Sequence, residues 1–242
     1  YNKAYLASMF QATGSPIGKS VLEICCSDGL VCDIVSLLGA RHVVGIDAMK
    51  SVGCNFPSAN IQYEVRDAKA TGLPDQSFDL VYSIATFEHV SDPLRVLTEI
   101  LRVMKVGGYA YVQAGPLYHS PFGHHMFAYF QDYPWIHLRK SKEDIKAYAR
   151  EREIDLAVKR DLGITSDEYI DGMLNRDHLN GLFLDAYQLN DFQRRSDVKI
   201  IKFHTSYEGQ ELLTADVLSE LHDFKPDCLI EHGFEIAFQR LR

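Results

Sequence analysis

Apolar positions in the first half of the chain fall into short, nearly continuous runs, separated by stretches in which they recur every three or four residues. The runs predict strands buried on both faces and the spaced stretches predict helices, the alternation of a parallel sheet with crossover helices. Residues 21–25 (VLEIC), 42–46 (HVVGI), 61–65 (IQYEV), 78–83 (FDLVYS) and 109–114 (YAYVQA) are the five predicted strands. Residues 30–38, closed by Gly39, and 93–104, followed by a Gly107-Gly108 stop, are the clearest predicted helices.

The rhythm breaks after the fifth strand. From Gly115 to about Ser196 an aromatic- and histidine-rich loop gives way to charged helical stretches at 142–152 and 165–173, which read as an insertion over the carboxyl edge of the sheet. Strand character returns at 198–205, helix at 212–223 and strand at 233–241. Two late strands complete a seven-stranded, mostly parallel sheet, so residues 1–242 are expected to form one domain with 115–196 as its lid.

Composition narrows the function. The 242 residues are 46% hydrophobic and 24% charged, ordinary for a protein with a full core. The 25 basic and 33 acidic residues give a net charge of −8 without a basic block, which disfavours a nucleic-acid substrate. No apolar run is long enough for a membrane span. Five cysteines, an odd number without paired CxxC motifs, read as reduced thiols of a cytoplasmic protein.

In an open α/β sheet, ligands bind beyond the carboxyl ends of the strands, so polar residues there carry the most information. Glu23 lies in the first strand, Asp47 ends the second and Asp67 follows the third. A carboxylate after the second strand is placed to accept both hydroxyl protons of a ribose, and the next acidic residue to accept from an adenine amine. The absence of GxGxxG argues against a nicotinamide enzyme.

With VLEICCSDG, VVGIDAM, VRDA, LPDQSFDLVYSIATFEHV and LTEILRVMKVGGYAYV in that order, the chain resembles the class I, Rossmann-like S-adenosylmethionine-dependent methyltransferases over roughly residues 20–114. The resemblance implies a three-layer α/β fold and S-adenosylmethionine as cofactor, with S-adenosylhomocysteine as product. It places Glu23, Cys25, Ser27 and Gly29 at the amino-acid portion of the cofactor, and Asp47, Ala48 and Met49 at the ribose. Asp67 and Ala68 fall at the adenine, and Ser83, Ile84 and Ala85 under the methionine carboxylate and sulfonium. The family's ExGxGxG loop has three glycines, whereas this chain has Cys25 and Ser27 at the first two and keeps only Gly29.

Methyl transfer is an in-line displacement, so the protein aligns an acceptor and, for a hydroxyl, removes its proton. A neutral histidine suits that task, and residues 115–138 hold His119, His124, His125 and His137. His124 or His125 is the expected base, with His89 next. His124, His125, Glu88 and Asp132 could converge on a divalent ion, but no ligand spacing establishes a site and no metal is predicted. The expected acceptor is a small polar metabolite or a sugar or glycan intermediate, methylated on oxygen. The altered glycine loop leaves open a cofactor-binding partner subunit without turnover, and a protein or peptide acceptor is the third reading.

Overall fold

The computed structural model describes residues 3–175 and 177–242. Seven strands, β1 (Ser20–Ile24), β2 (His42–Asp47), β3 (Ile61–Val65), β4 (Phe78–Ile84), β5 (Met104–Ala114), β6 (Val198–Tyr207) and β7 (Glu231–Arg240), form one sheet in the order β3-β2-β1-β4-β5-β7-β6. The β3 to β5 half is parallel, and β7 runs antiparallel to both β5 and β6. Strand order reverses between β1 and β4, which opens a crevice at their carboxyl ends.

Helices cover both faces. Helices α1 (Lys3–Thr13) and α2 (Leu30–Leu37) bury Met9, Val31, Cys32 and Val35 against Val21, Val43, Leu80, Tyr82 and Tyr111. On the opposite face α3 (Pro93–Val103) buries Val96, Leu97 and Ile100 against Leu22, Ile24, Val81 and Val112. Its start follows from local chemistry: the Asp92 side chain accepts from the Arg95 N–H at 3.1 Å, and Pro93 occupies the first turn, where its missing N–H is harmless. The expected glycine stop is not what ends this helix. Met104 already takes extended dihedrals, and Gly107 and Gly108 lie inside β5, with Gly107 at φ +81°.

Helices α4 (Ile136–Arg139), α5 (Lys142–Glu151), α6 (Ile154–Leu162) and α7 (Ser166–Met173) form the insertion, with a core of their own around Met126, Phe130, Ile136, Ile145, Val158 and Ile170. Both cores of the α5 and α7 starts are capped by sequence-local hydroxyls, Ser141 and Thr165, the latter in a full capping box with Glu168. The insertion is shorter than expected. Tyr187, together with Leu189 and Phe192 of α8 (Leu189–Gln193), packs into the main core beside Phe234 and Phe238, so this stretch belongs to the sheet. The predicted helix at 212–223 is likewise reduced to α9 (Ala215–Glu220), because the Thr214 hydroxyl takes the N-cap position. A last short helix, α10 (Pro226–Ile230), precedes β7, and Trp135 seals the junction, its indole N–H shared between the carbonyls of His119 and Leu229.

Gly45 in β2 is required by packing and not by dihedral freedom. A Cβ there would lie 2.8 Å from the sulfurs of both Cys26 and Cys32 and 2.9 Å from the Tyr63 ring. Gly45→Ala should therefore destabilise the fold by about 1–3 kcal/mol, the usual range for overpacking a close-packed core. Urea unfolding monitored by circular dichroism checks this, and an unchanged midpoint would show slack on this face of the sheet.

Candidate functional site

At the strand reversal lies a crevice of about 230 Å³, lined by Cys25, Ile46, Asp47, Ala48, Arg66, Asp67, Ala68, Lys69, His89, Val90 and Ser91. Asp47 is its central group. Only 9% exposed, it ends β2 with one carboxylate oxygen accepting the Ser27 N–H and the other the Met49 N–H, both at 2.9 Å. One side chain thus joins the loops that follow β1 and β2. A carboxylate has about four acceptor sites, so these two bonds leave capacity for a ligand's hydroxyls. Asp67 stands at the outer rim, exposed, accepting the Lys69 N–H at 2.8 Å.

The β1 loop is held from below. Residues 48–60 carry turns instead of a crossover helix, and the Gly53 N–H donates to the Ser27 carbonyl at 2.9 Å. The Tyr63 hydroxyl donates to the carbonyls of Phe56 and Gly29 at 3.0 and 3.3 Å, and a Cβ at Gly29 would meet that hydroxyl at 2.4 Å. Gly29, at φ +93°, is the glycine this loop retains. Cys25 (φ +59°) and Ser27 (φ +49°) hold left-handed dihedrals without being glycine, as does Ala85 (φ +54°) just after β4. Each such residue costs on the order of 1–2 kcal/mol, and conformations of this kind gather at functional sites.

A second group of side chains adjoins the crevice. Glu88 and His89 sit on the 3-10 turn Phe87–His89, and His125 reaches them from the insertion at φ +58°. His89 Nδ1–H donates to the His178 carbonyl and His125 Nε2–H to the Pro116 carbonyl at 2.9 Å. A carbonyl only accepts, so each imidazole's other nitrogen keeps its lone pair. Burial lowers the pKa of both rings, that of His125 to about 4, and raises the Glu88 carboxyl to about 8.

Residues 22–112 match the methyltransferase domain family. The ubiquinone biosynthesis O-methyltransferase of Maricaulis maris (strain MCS10) is 34% identical over 98 residues, and the match spans 38% of this chain and 38% of that relative. The enzyme of that name from Pseudomonas putida (strain GB-1) is 28% identical over 161 residues, 63% of this chain and 67% of that one. Among solved structures, an S-adenosylmethionine dependent methyltransferase from Mesorhizobium loti superposes with a TM-score of 0.59 at 16% identity, covering 98% of both chains. Residues 22–112 are thus a methyltransferase domain, and the whole chain shares the fold of that S-adenosylmethionine dependent methyltransferase.

Within this methyltransferase domain the expected site residues separate into three groups. Cys25, Asp47, Ala48, Asp67, Ala68 and His89 line one crevice. Ser27, Met49 and Ala85 lie exposed on the strand-end loops around it. Glu23, Gly29, Ser83 and Ile84 are buried. Glu23 points under α2, accepting from the Cys32 thiol at 2.9 Å and the Tyr82 hydroxyl at 3.0 Å, and burial pushes its carboxyl up to about 8. It supports the loop and does not face the crevice. Ser83 is paired with Thr86.

The histidine pair divides as adjacent residues must. His125 joins His89, whereas His124 is fully buried among Phe122, Phe130 and His137, its Nδ1 accepting the Met126 N–H at 2.9 Å. His124 is therefore a packing residue of the insertion. Asp132 is also elsewhere, on the surface with Tyr148 and Arg152. His178 and Asn180 were not expected. Asn180 ties its segment to the Phe87–Val90 turn, its backbone N–H donating to the Glu88 carbonyl at 2.8 Å and its amide to the Phe87 and Val90 carbonyls at 2.9 Å. They lie some ninety residues from the turn they serve, and sequence spacing carries no trace of the contact.

Burial has a consequence for acid stability. His119, stacked on Phe183 with ring centroids 3.6 Å apart, and His137, donating to the Tyr118 carbonyl, are both lowered to about 4 by desolvation. Unfolded, each binds its proton near pH 6.5. Between these values the unfolded chain holds more protons, so stability is fully present above about 6.5 and is lost as pH falls towards 4. Thermal melts should show the domain weaker at pH 5 than at pH 7.5, by on the order of 2 kcal/mol for each of these histidines. Equal stability at the two pH values would mean that both rings reach water.

Proposed function

We propose that this protein transfers the methyl group of S-adenosylmethionine to an oxygen of a small polar acceptor. The observation that supports this most is the crevice at the strand reversal, where Asp47, Asp67 and the strained β1 loop line one wall and His89 the other. S-adenosylmethionine supplies an electrophilic methyl on sulfur: the acceptor oxygen forms a bond to that carbon as the carbon–sulfur bond breaks, and the acceptor proton leaves.

The residues present suit this ligand. Asp47 accepts from the ribose hydroxyls with the lone pairs its backbone bonds leave free. Asp67 and Ala68 meet the adenine at the rim. The loop from Cys25 to Gly29 and the turn from Ser83 to Ala85 take the methionine end. Cys25, standing where the family has glycine, projects a side chain into the crevice, yet it keeps the left-handed backbone that glycine would adopt. A loop held in that path at an energetic cost supports a working binding site over a degenerate one.

Residues 115–183 form the lid, and the Glu88, His89 and His125 cluster stands where an acceptor hydroxyl would enter. Its lone pairs favour loss of the hydroxyl proton. Oxygen as the acceptor atom is supported by the two relatives named as O-methyltransferases, and a small acceptor by the net charge of −8 without a basic patch. A sugar or glycan-type intermediate fits within that class. The five free thiols suit the cytoplasm, and among the described residues no helix is long and apolar enough to cross a membrane.

Titration calorimetry with S-adenosylmethionine should show one site, weakened at least tenfold, about 1.4 kcal/mol, by Asp47→Ala. Cys25→Gly, which removes both the strain and the intruding side chain, should bind as tightly as the parent or tighter. Incubation with a panel of hydroxylated metabolites should then yield a product heavier by one CH2 in mass spectrometry. A parent protein that binds no S-adenosylmethionine defeats the proposal outright.

A further inference from the structure

The Glu88, His89 and His125 cluster has features that proton removal alone does not require. The three side chains offer donor atoms that all lie within 4.8 Å of one another. Glu88 is 2% exposed, and the hydrogen bond to its carboxylate from another residue is a weak one, from the Gly115 N–H at 3.3 Å. A buried carboxylate with so little compensation is costly. Each imidazole gives one ring nitrogen to a backbone carbonyl, His178 for His89 and Pro116 for His125, which leaves the other free to ligate and is the kind of outer-shell bond that orients metal-ligating histidines. Three potential ligand groups therefore converge, and at most one proton, that of the Glu88 carboxyl, lies among them. One shared proton would serve a single imidazole, whereas a cation serves all three groups.

We propose that Glu88, His89 and His125 bind a divalent first-row transition cation at the edge of the cofactor crevice. Two imidazoles and one carboxylate match the ligand preferences of such ions, and three protein ligands leave coordination positions open. His89 also lines the crevice, so an open position faces the place where the acceptor oxygen enters. A cation there lowers the pKa of a bound hydroxyl and directs it at the methyl carbon. The role in methyl transfer rests on the function proposed above, but the site itself does not. His125 comes from the lid, so loading the site also ties the lid to the Phe87–His89 turn.

The test uses cobalt(II) as the probe, added to the 242-residue chain after dialysis against chelator, without S-adenosylmethionine. One equivalent should bind, with visible absorption of nitrogen and oxygen ligation and no intense near-ultraviolet thiolate band. Glu88→Gln and His125→Gln, each verified as folded by circular dichroism and thermal melting, should weaken binding at least tenfold. The conservative variant Glu88→Asp should retain part of it. The inference is overturned if the parent takes up no stoichiometric cobalt, if the glutamine variants bind as well as the parent, or if a thiolate band shows that cysteines hold the ion. S-adenosylmethionine affinity measured on the same samples keeps the two proposals apart: cofactor binding without cobalt binding rejects only the cation site, and the reverse rejects only the methyl-transfer reading.

Discussion

The architecture of the site turns on one carboxylate. Asp47 ends β2 beside the strand reversal and accepts a backbone N–H from each of two loops, Ser27 after β1 and Met49 after β2. Those loops form the floor and one wall of the crevice, so their spacing follows from the two bonds and from the parallel register of β1 with β2. Charge-assisted bonds to a nearly buried carboxylate are stronger than neutral ones, which suits a group that ties two loops together and keeps further lone pairs free. The turns of residues 48–60 and the Tyr63 hydroxyl brace the same loop from beneath.

Strain is concentrated where this bracing is strongest. Cys25, Ser27 and Ala85 take left-handed dihedrals at the carboxyl ends of β1 and β4, and His125 does so in the insertion. Backbones of this kind persist only when their surroundings over-determine them, and the sheet beneath supplies that: Ile24, Ile46, Val81 and Ile84 are all essentially inaccessible to solvent. A rigid, two-faced core thus carries loops whose own preferences would lead elsewhere. The insertion is a separate packing unit, built on Met126, Phe130, Ile145 and Ile170, and it approaches the crevice through side chains and backbone carbonyls around His89 and His125.

Strand periodicity revealed β1 to β4 to within a residue, because strands buried on both faces leave unbroken apolar runs at β1, β2 and β4, whereas β5 begins five residues before the expected 109–114. Acidic residues at strand ends likewise marked one side of the crevice, since the fold places such positions there whatever the loop details. What stayed hidden was set by tertiary contact. Glu23 is in a strand close to the loop, but its parity turns it under α2 towards Cys32 and Tyr82. His124 and His125 could not be ranked from sequence, because the left-handed backbone at His125 decides which ring joins His89. The end of the insertion lies before the expected 196 because Tyr187, Leu189 and Phe192 are apolar in a pattern that only their packing on Phe234 and Phe238 assigns to the main core.

The central claim, that Asp47 and Asp67 frame a nucleoside site at the strand reversal, is tested most directly by a crystal structure with S-adenosylhomocysteine. The account predicts the ribose hydroxyls on the Asp47 carboxylate, the adenine beside Asp67 and Ala68, and the sulfur directed towards His89. Density for the ligand elsewhere, or a crevice filled by side chains with Asp47 turned out of it, would contradict the account.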